Sequence, residues 1–287
     1  MTQIRMLPDR RLHLQHGPID CLAQAWGDAR EVEAAYAQAA ASFPAILPEL
    51  CAELPLLRRA LPSPEPTGRV ALSMHRAVQP FTSGFITPMA AVAGAVADRV
   101  LATLLEGRTL ARAFVNNGGD IALHLAPGQS LRCGLVSDLG HPALDGAFSL
   151  AANYPARGIA TSGRACKGRG GRSFSRGIAD SVTILARNAA QADAAATVIA
   201  NEVDLPGHPA ILRRPACDID PDSDLGSLAV VWDLGTLSAA EIASALDAGS
   251  VVADDLFQAG HILSAVLCLR GQKVVRLQTR VRALELA

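Results

Sequence analysis

The sequence is short of aromatic residues, of unbalanced charge, of paired cysteines and of long uninterrupted apolar runs, and each shortage narrows what the chain can be. Phe, Trp and Tyr supply only 4% of 287 residues although half are hydrophobic, so the core must be built from alanine and small aliphatics. That length is enough for one large domain or two small ones to bury a substantial core. The 26 basic residues are matched by 27 acidic ones, a formal net charge of −1. Such balance gives no overall attraction to nucleic acid or to an anionic membrane, and leaves anion binding to local clusters. The six cysteines (Cys21, Cys51, Cys133, Cys166, Cys217 and Cys268) are scattered without a CxxC pair. Zinc-ribbon and redox motifs are therefore unsupported, and reduced structural thiols are expected. No secretory apolar run follows Met1. The most apolar stretch, Met89–Leu105, is interrupted by Asp98 and Arg99 and reads as too short and too charged to span a bilayer. The cytoplasm is the expected location.

What is present is a mixture of helical and strand-like segments. Arg11–Gln15 alternates as a strand; Asp28–Phe43 reads as a helix opening on an Asp cap, followed by helical sequence from about Ile46 to Leu61. Pro62–Gly68 is a turn-rich connector and the clearest internal break, so the chain reads as a single domain over residues 1–287 or as two sub-domains divided near 62–68. Thr87-Pro88 places a hydroxyl before a proline at the first helical position. The helix expected from there to about Glu106 is so rich in small residues that it should lie centrally and buried. Strands are expected at Ala111–Val115, Ile121–Leu125, Leu131–Val136, Ala147–Ala151, Gly158–Thr161 and Ser181–Ala186, a helix at Ala189–Val203, a strand at Leu228–Trp232 and a helix capped by Ser238. A hairpin of Ile262–Leu269 and Val274–Val281 closes the series. Short spacings favour antiparallel neighbours, hence an α+β fold with helices laid on antiparallel sheet.

Three segments carry candidate chemistry. Asn116-Asn117-Gly118-Gly119-Asp120 sits between two strands; paired glycines allow positive φ and close backbone approach to a ligand, yet Asn-Gly is equally a hairpin turn signal. Gly158-Ile-Ala160-Thr161-Ser162-Gly163 runs an apolar strand into two hydroxyls and a glycine, a strand end suited to phosphate oxygens. Arg164, Lys167, Arg169, Arg172 and Arg176 follow, interleaved with glycines, and suit an anion such as pyrophosphate; a solvated surface loop is the plainer reading. Asp180 ends this loop, either reading a ribose hydroxyl or a metal-bound water, or capping the strand entry. Asp193 and Thr197 stand four apart on an alanine-rich helix, which aligns two hard oxygens on one face as part of a magnesium site, unless Asp193 only serves the helix dipole.

In order and spacing, Val115-Asn-Asn-Gly-Gly-Asp-Ile121, then Gly158–Gly163, then Ser181–Ala186, then Ala192-Asp-Ala-Ala-Ala-Thr197 resemble the ApbE-like superfamily, closely over Ala111–Asn201. Ile86–Asp98 and Gly177–Thr183 look more like an uncharacterised sister branch of it. The best-known members are magnesium-dependent transferases that move FMN from FAD onto a protein Thr or Ser. The resemblance implies antiparallel sheets with helix pairs on one face, duplicated in a T-fold-like way. It implies FAD or another phosphorylated ligand near Asn117, Gly118, Gly119 and Asp120 and near Ala160, Thr161, Ser162 and Gly163, with Mg²⁺ on Asp193 and Thr197. Arg164, Arg172 and Arg176 would neutralise phosphate charge, and Asp180 or Asp193 would orient or deprotonate an attacking group. Transferases carry His-x-x-Asp-Pro after the second segment, whereas Arg164–Asp180 holds neither histidine nor proline. The expected activity is FMN transfer or pyrophosphate cleavage, and the alternative is a binding or carrier module without chemistry. Expected partners are the phosphorylated small molecule, an acceptor protein for any transferred group and a second copy of the chain, with neither nucleic acid nor membrane.

Overall fold

The computed structural model describes residues 1–82, 84–136, 140, 143–164, 174–277 and 285–286. In chain order the strands and α-helices are β1 (Thr2–Met6), β2 (Leu12–His16), β3 (Ile19–Gly27), α1 (Ala29–Ser42), α2 (Ile46–Ala52), α3 (Leu54–Leu57), α4 (Arg69–Val78), α5 (Val92–Leu105), β4 (Leu110–Asn117) and β5 (Asp120–Leu125). There follow β6 (Ser130–Leu135), β7 (Gly146–Ala151), β8 (Gly158–Ser162), β9 (Ser181–Ala186), α6 (Ala189–Glu202), β10 (Ile211–Pro215), β11 (Ala229–Leu234), α7 (Ala239–Gln258), β12 (Ser264–Leu269), β13 (Gln272–Leu277) and β14 (Glu285–Leu286). The chain divides into two compact units. One comprises Met1–Leu131, Ser149–Ala160 and Ala186–Ala194, and the other Arg132–Phe148, Thr161–Leu185 and Ala195–Ala287. The Pro62–Gly68 connector lies within the first.

In the first unit β1, β2, β3, β4 and β5 follow one another as an antiparallel sheet, and β5 pairs with the start of β8. Ile19, Cys21, Ala23 and Ala25 of β3 point inward while Asp20 faces out, the period-two pattern of a sheet with one buried face. α5 packs on β4 and β5, α1 on β3, and α1 and α4 both contact α5. Gly94, Ala95, Val96, Ala97, Val100, Leu101 and Leu104 of α5 are buried, as its small-residue composition requires. Although Pro88–Leu105 is apolar enough by composition to cross a membrane, with mean hydropathy 1.4, over half of it is buried within the fold. In the second unit β12 pairs with β9 and β13, and β10 with β11, with α7 packed on β12 and β13; β14, β7 and β6 form a separate small sheet. Both β9 and β12 are buried at every position, which explains their continuous apolar and hydroxyl character.

The expected mixture of antiparallel sheets and helices is what the chain forms. Several details differ from the sequence reading. The helical run from Ile46 breaks at Glu53 into α2 and α3. The closing hairpin turns on Arg270 and Gly271 alone, both at positive φ, so β13 begins at Gln272; its expected end at Val281 lies outside the described residues. β1, β3, α4 and β10 were not anticipated.

α7 starts with a capping box: the Ser238 hydroxyl accepts from the Glu241 N–H, and the Glu241 carboxylate accepts from the Ser238 N–H at 2.7 Å. The Ser238 N–H, then His208 and the Ser238 hydroxyl, hold the Glu241 pKa down from 4.5 to about 2. A carboxylate lowered in the folded state stabilises fully above its unfolded pKa and progressively less as pH falls toward the folded one. Glu241→Gln should therefore lower the melting temperature at about pH 6 and progressively less below about pH 4. A difference from wild type that stayed constant down to pH 2 would contradict the box.

Candidate functional site

The first group of residues is built on the β4–β5 turn. Asn117 pairs with Asp120, so Gly118 and Gly119 are the two loop residues, with φ of 65° and 111°. Side chains are strained at these angles, which accounts for the glycines even though no atom lies within 4 Å of a Cβ built on either. The segment is thus a tight hairpin turn with an open outer surface. Asn116 Oδ1 accepts from the Gly119 N–H at 2.8 Å. Asn117 is buried and connects two elements: its Oδ1 accepts from the Asp20 N–H of β3, and its Nδ2 donates to the Ala93 carbonyl at the start of α5. Asp120 is also buried.

Beside that point α5 and α6 exchange carboxylates. Asp98 of α5 accepts from the Ala189 N–H with Oδ1 at 3.0 Å and from the Ala190 N–H with Oδ2 at 2.9 Å. Asp193, one turn into α6, accepts from the Gly94 N–H of α5 with Oδ2 at 3.0 Å. Helix N-termini leave such amides without intrahelical partners, so each helix satisfies the other's. Asn188 Oδ1 takes the Gln191 N–H at 2.8 Å, completing the cap of α6. The approach is close. A Cβ on Gly94 would lie 2.3 Å from the Ala189 carbonyl oxygen, and one on Gly158 would lie 2.0 Å from both the carbon and the oxygen of the Asn188 carbonyl. Burial pushes the Asp98 pKa up to about 6, against the pull of its two amides. Asp193 is raised too, by burial first, with the Gly94 and Ala93 N–H groups opposing and the Asp98 charge adding to the rise. Among the described residues neither carboxylate has a basic side chain as a salt-bridge partner. Thr197 follows one turn later on α6 and is half-buried.

The second unit holds the other group. Ala160, the last residue of the Ser149–Ala160 segment of the first unit, is fully buried; in the second unit Thr161 and Ser162 complete β8, and Gly163 follows. Thr161 and Thr183 share a hydrogen bond of 2.9 Å between their hydroxyls. Gly163 has φ 143°, and a Cβ there would meet the Asp180 carbonyl oxygen at 2.4 Å. Asp180 N–H donates to the Cys268 carbonyl, and its Oδ2 accepts from the Arg270 N–H at 2.5 Å, so this carboxylate ties the β12–β13 turn to the entry of β9. Arg164 is half-buried, and its backbone N–H donates to the Ala179 carbonyl. Burial lowers its pKa most; Asp180 and Asp233 oppose the shift and Arg270 adds to it. Among the described residues the Arg164 guanidinium has no hydrogen-bond acceptor. Arg176 donates its backbone N–H to Asn201 Oδ1. Arg172, with Lys167 and Arg169, lies outside the described residues.

Each sequence-derived candidate that is described therefore sits in one of these two groups, but Asp180 and Asp193 each serve a backbone amide as well. In the sequence Asp98 stands out as an interruption of an apolar run and as the end of the Ile86–Asp98 segment, with no role attached, and Asn188 does not stand out. Asn188-Ala-Ala-Gln191 is an N-terminal capping pattern that the sequence does display. No local pattern identifies Asp98, whose partners are 91 and 92 residues away.

No three or more His, Cys, Asp and Glu side chains come together to hold a metal among the described residues. A magnesium ion at Asp193 would have to complete its shell with neutral oxygens, and Mg²⁺ commonly uses only one or two carboxylates together with water and phosphate. A half-buried carboxylate lacking a basic partner among the described residues, close to a second one, has the chemistry such an ion would satisfy, and Thr197, one turn on, carries another hard oxygen.

A family model described as AbpE bacteria matches residues 4–275. A UPF0280 protein from Methanopyrus kandleri is 41% identical over 132 residues, 46% of this chain and 48% of the relative. Another from Methanoculleus marisnigri is 35% identical over 173 residues, 60% of this chain and 64% of the relative. The chain spans about half the length of the first of these curated relatives. Among solved structures, the ApbE protein of Thermotoga maritima has a TM-score of 0.38 at 16% identity, covering 89% of this chain and 77% of its own. The flavin transferase ApbE from Vibrio cholerae has a TM-score of 0.40 at 12% identity, covering 97% and 98%.

Two glycines separate steric from conformational cost. Gly158→Ala drives a methyl into the Asn188 backbone, an overpacking that should cost about 3 kcal/mol. Gly118→Ala meets open space and should cost only the about 1–2 kcal/mol of a left-handed residue. Urea denaturation of both variants measures the difference; equal losses would contradict the close α6–β8 approach.

Proposed function

Because the chain belongs to the ApbE-like family, we propose that it binds a flavin nucleotide or a related phosphorylated ligand. The observation that carries this reading is Arg164. A guanidinium has five donors and cannot shed its proton, and this half-buried one has no acceptor among the described residues, which leaves its N–H groups open to an anion. It directly follows Thr161, Ser162 and Gly163, which bring two hydroxyls and a glycine-permitted bend to the same strand end. Phosphate oxygens are assigned to this strand end and to Arg164, Arg172 and Arg176; a ligand role for Asn117, Gly118, Gly119 and Asp120 is proposed separately, at the open β4–β5 turn. Mg²⁺ is assigned to Asp193 and Thr197.

In an FMN transfer or pyrophosphate cleavage, the arginines would bind and orient the pyrophosphate and offset charge that builds on it. Bound magnesium would supply Lewis-acid polarisation of a phosphoryl oxygen. Asp180 or Asp193 would position the attacking hydroxyl and accept its proton. A second reading, binding without chemistry, is supported by the backbone amides that both carboxylates already hold, Arg270 N–H on Asp180 and Gly94 N–H on Asp193. Incubating the protein with FAD, Mg²⁺ and a Thr-containing acceptor separates the two: AMP release or flavin on the acceptor marks the enzyme, and bound but unchanged FAD marks the binding module.

Arg164→Ala should weaken binding of FAD, ADP and pyrophosphate about tenfold or more, the cost of one charge-assisted contact, while leaving the melting temperature near wild type. Unchanged affinity for all three in equilibrium titrations would remove the basis for the phosphate site.

A further inference from the structure

We propose that Asp98 is a positioning residue for Asp193: by clamping the first two amides of α6, it sets the place from which Asp193 meets a bound Mg²⁺. This rests on the magnesium role proposed for Asp193.

The argument is geometric. Both Asp98 oxygens are engaged, Oδ1 by the Ala189 N–H and Oδ2 by the Ala190 N–H, at 3.0 and 2.9 Å. Asp98 is thereby a holder of the helix start rather than a ligand. Asp193 lies one turn beyond those amides on the same rigid helix, so a shift of the α6 start is a shift of its carboxylate. Around the α6 start, Gly94 and Gly158 add close backbone packing, and the Arg157 N–H donates to the Ala186 carbonyl just before it. The Gly94 N–H on Asp193 fixes one carboxylate oxygen, and it depends on the same α5–α6 register. Asp98 thus supplies two charge-assisted bonds that fix the start of the helix on which Asp193 stands. Catalytic and ligand geometry tolerates only small displacements, so a helix start released by the loss of Asp98 would misplace the metal ligand without touching the metal.

The test is a set of FAD titrations with and without MgCl₂ in wild type, Asp98→Ala, Asp98→Asn and Asp193→Ala, each accompanied by a thermal melt. The quantity read is the ratio of Mg²⁺-loaded to Mg²⁺-free affinity. In wild type Mg²⁺ tightens binding; in Asp98→Ala that ratio should fall about tenfold while the Mg²⁺-free affinity stays within about threefold of wild type. Asp98→Asn keeps the shape and one acceptor oxygen, and should lose part of the ratio; it carries the comparison where Asp98→Ala fails to fold cooperatively. A wild-type ratio in the Asp98 variants, with the ratio lost in Asp193→Ala, would overturn the positioning role and leave the metal reading standing. A lowered melting temperature with an unchanged ratio would reduce Asp98 to a structural cap and likewise overturn it. An absent Mg²⁺ effect in wild type would bring down the metal reading and this inference together.

Discussion

Helix N-termini present backbone N–H groups that nothing within the helix can satisfy, and in this chain carboxylates from distant segments satisfy them. Asp98 serves α6, Asp193 serves α5, and Glu53 and Glu49 serve the start of α4 through the Gly68 and Arg69 amides at 2.8 and 2.7 Å. α1, α6 and α7 also use a residue at their own threshold, Asp28, Asn188 and Ser238. Capping at long range does two things at once. It closes the hydrogen-bond account of each helix, and it pins one helix against another with directional bonds where alanine-rich surfaces offer little shape to lock on.

Such an arrangement depends on the absence of side chains. Ionic capping across two helices needs the backbones close, and Gly94 and Gly158 permit contacts that any Cβ would prevent. The cost is carried by the carboxylates: burial raises the pKa of both Asp98 and Asp193, and the Asp98 charge adds to the rise at Asp193. Charged groups kept in such surroundings are characteristic of functional sites as well as of structural networks. Asp193 braces α5 and is also the residue to which the proposed Mg²⁺ is assigned. A similar doubling occurs in the second unit, where Asp180 holds the Arg270 amide while moderating the charge of Arg164.

Much of this was legible from residue order. The buried character of α5, the Ser238 start of α7, the glycine turn at Gly118-Gly119 and the strands β8 and β9 follow from local composition and period, and the order of motifs pointed to the family. What escaped was encoded at a distance. α4 has Gly68 at its threshold and no side-chain cap of its own, because the capping oxygens come from Glu49 and Glu53. β3 alternates correctly, but its inward residues are Ile19, Cys21 and two alanines, while Leu22 and Trp26 occupy the other face, so the contrast that marks a strand is faint. Asp98 could be recognised only once the start of α6 was seen against it. The basic loop offered the strongest charge signal of all, yet of its five cations the described residues include only Arg164 and Arg176.

The central claim is that phosphate recognition, rather than the flavin ring alone, holds the ligand. Equilibrium titration of the full chain with riboflavin, FMN and FAD tests it most directly. FMN and FAD should bind, and riboflavin should bind about tenfold or more weakly, because it offers nothing to Arg164 or the hydroxyls at the end of β8. Equal affinity for all three, or binding of riboflavin alone, would contradict the account.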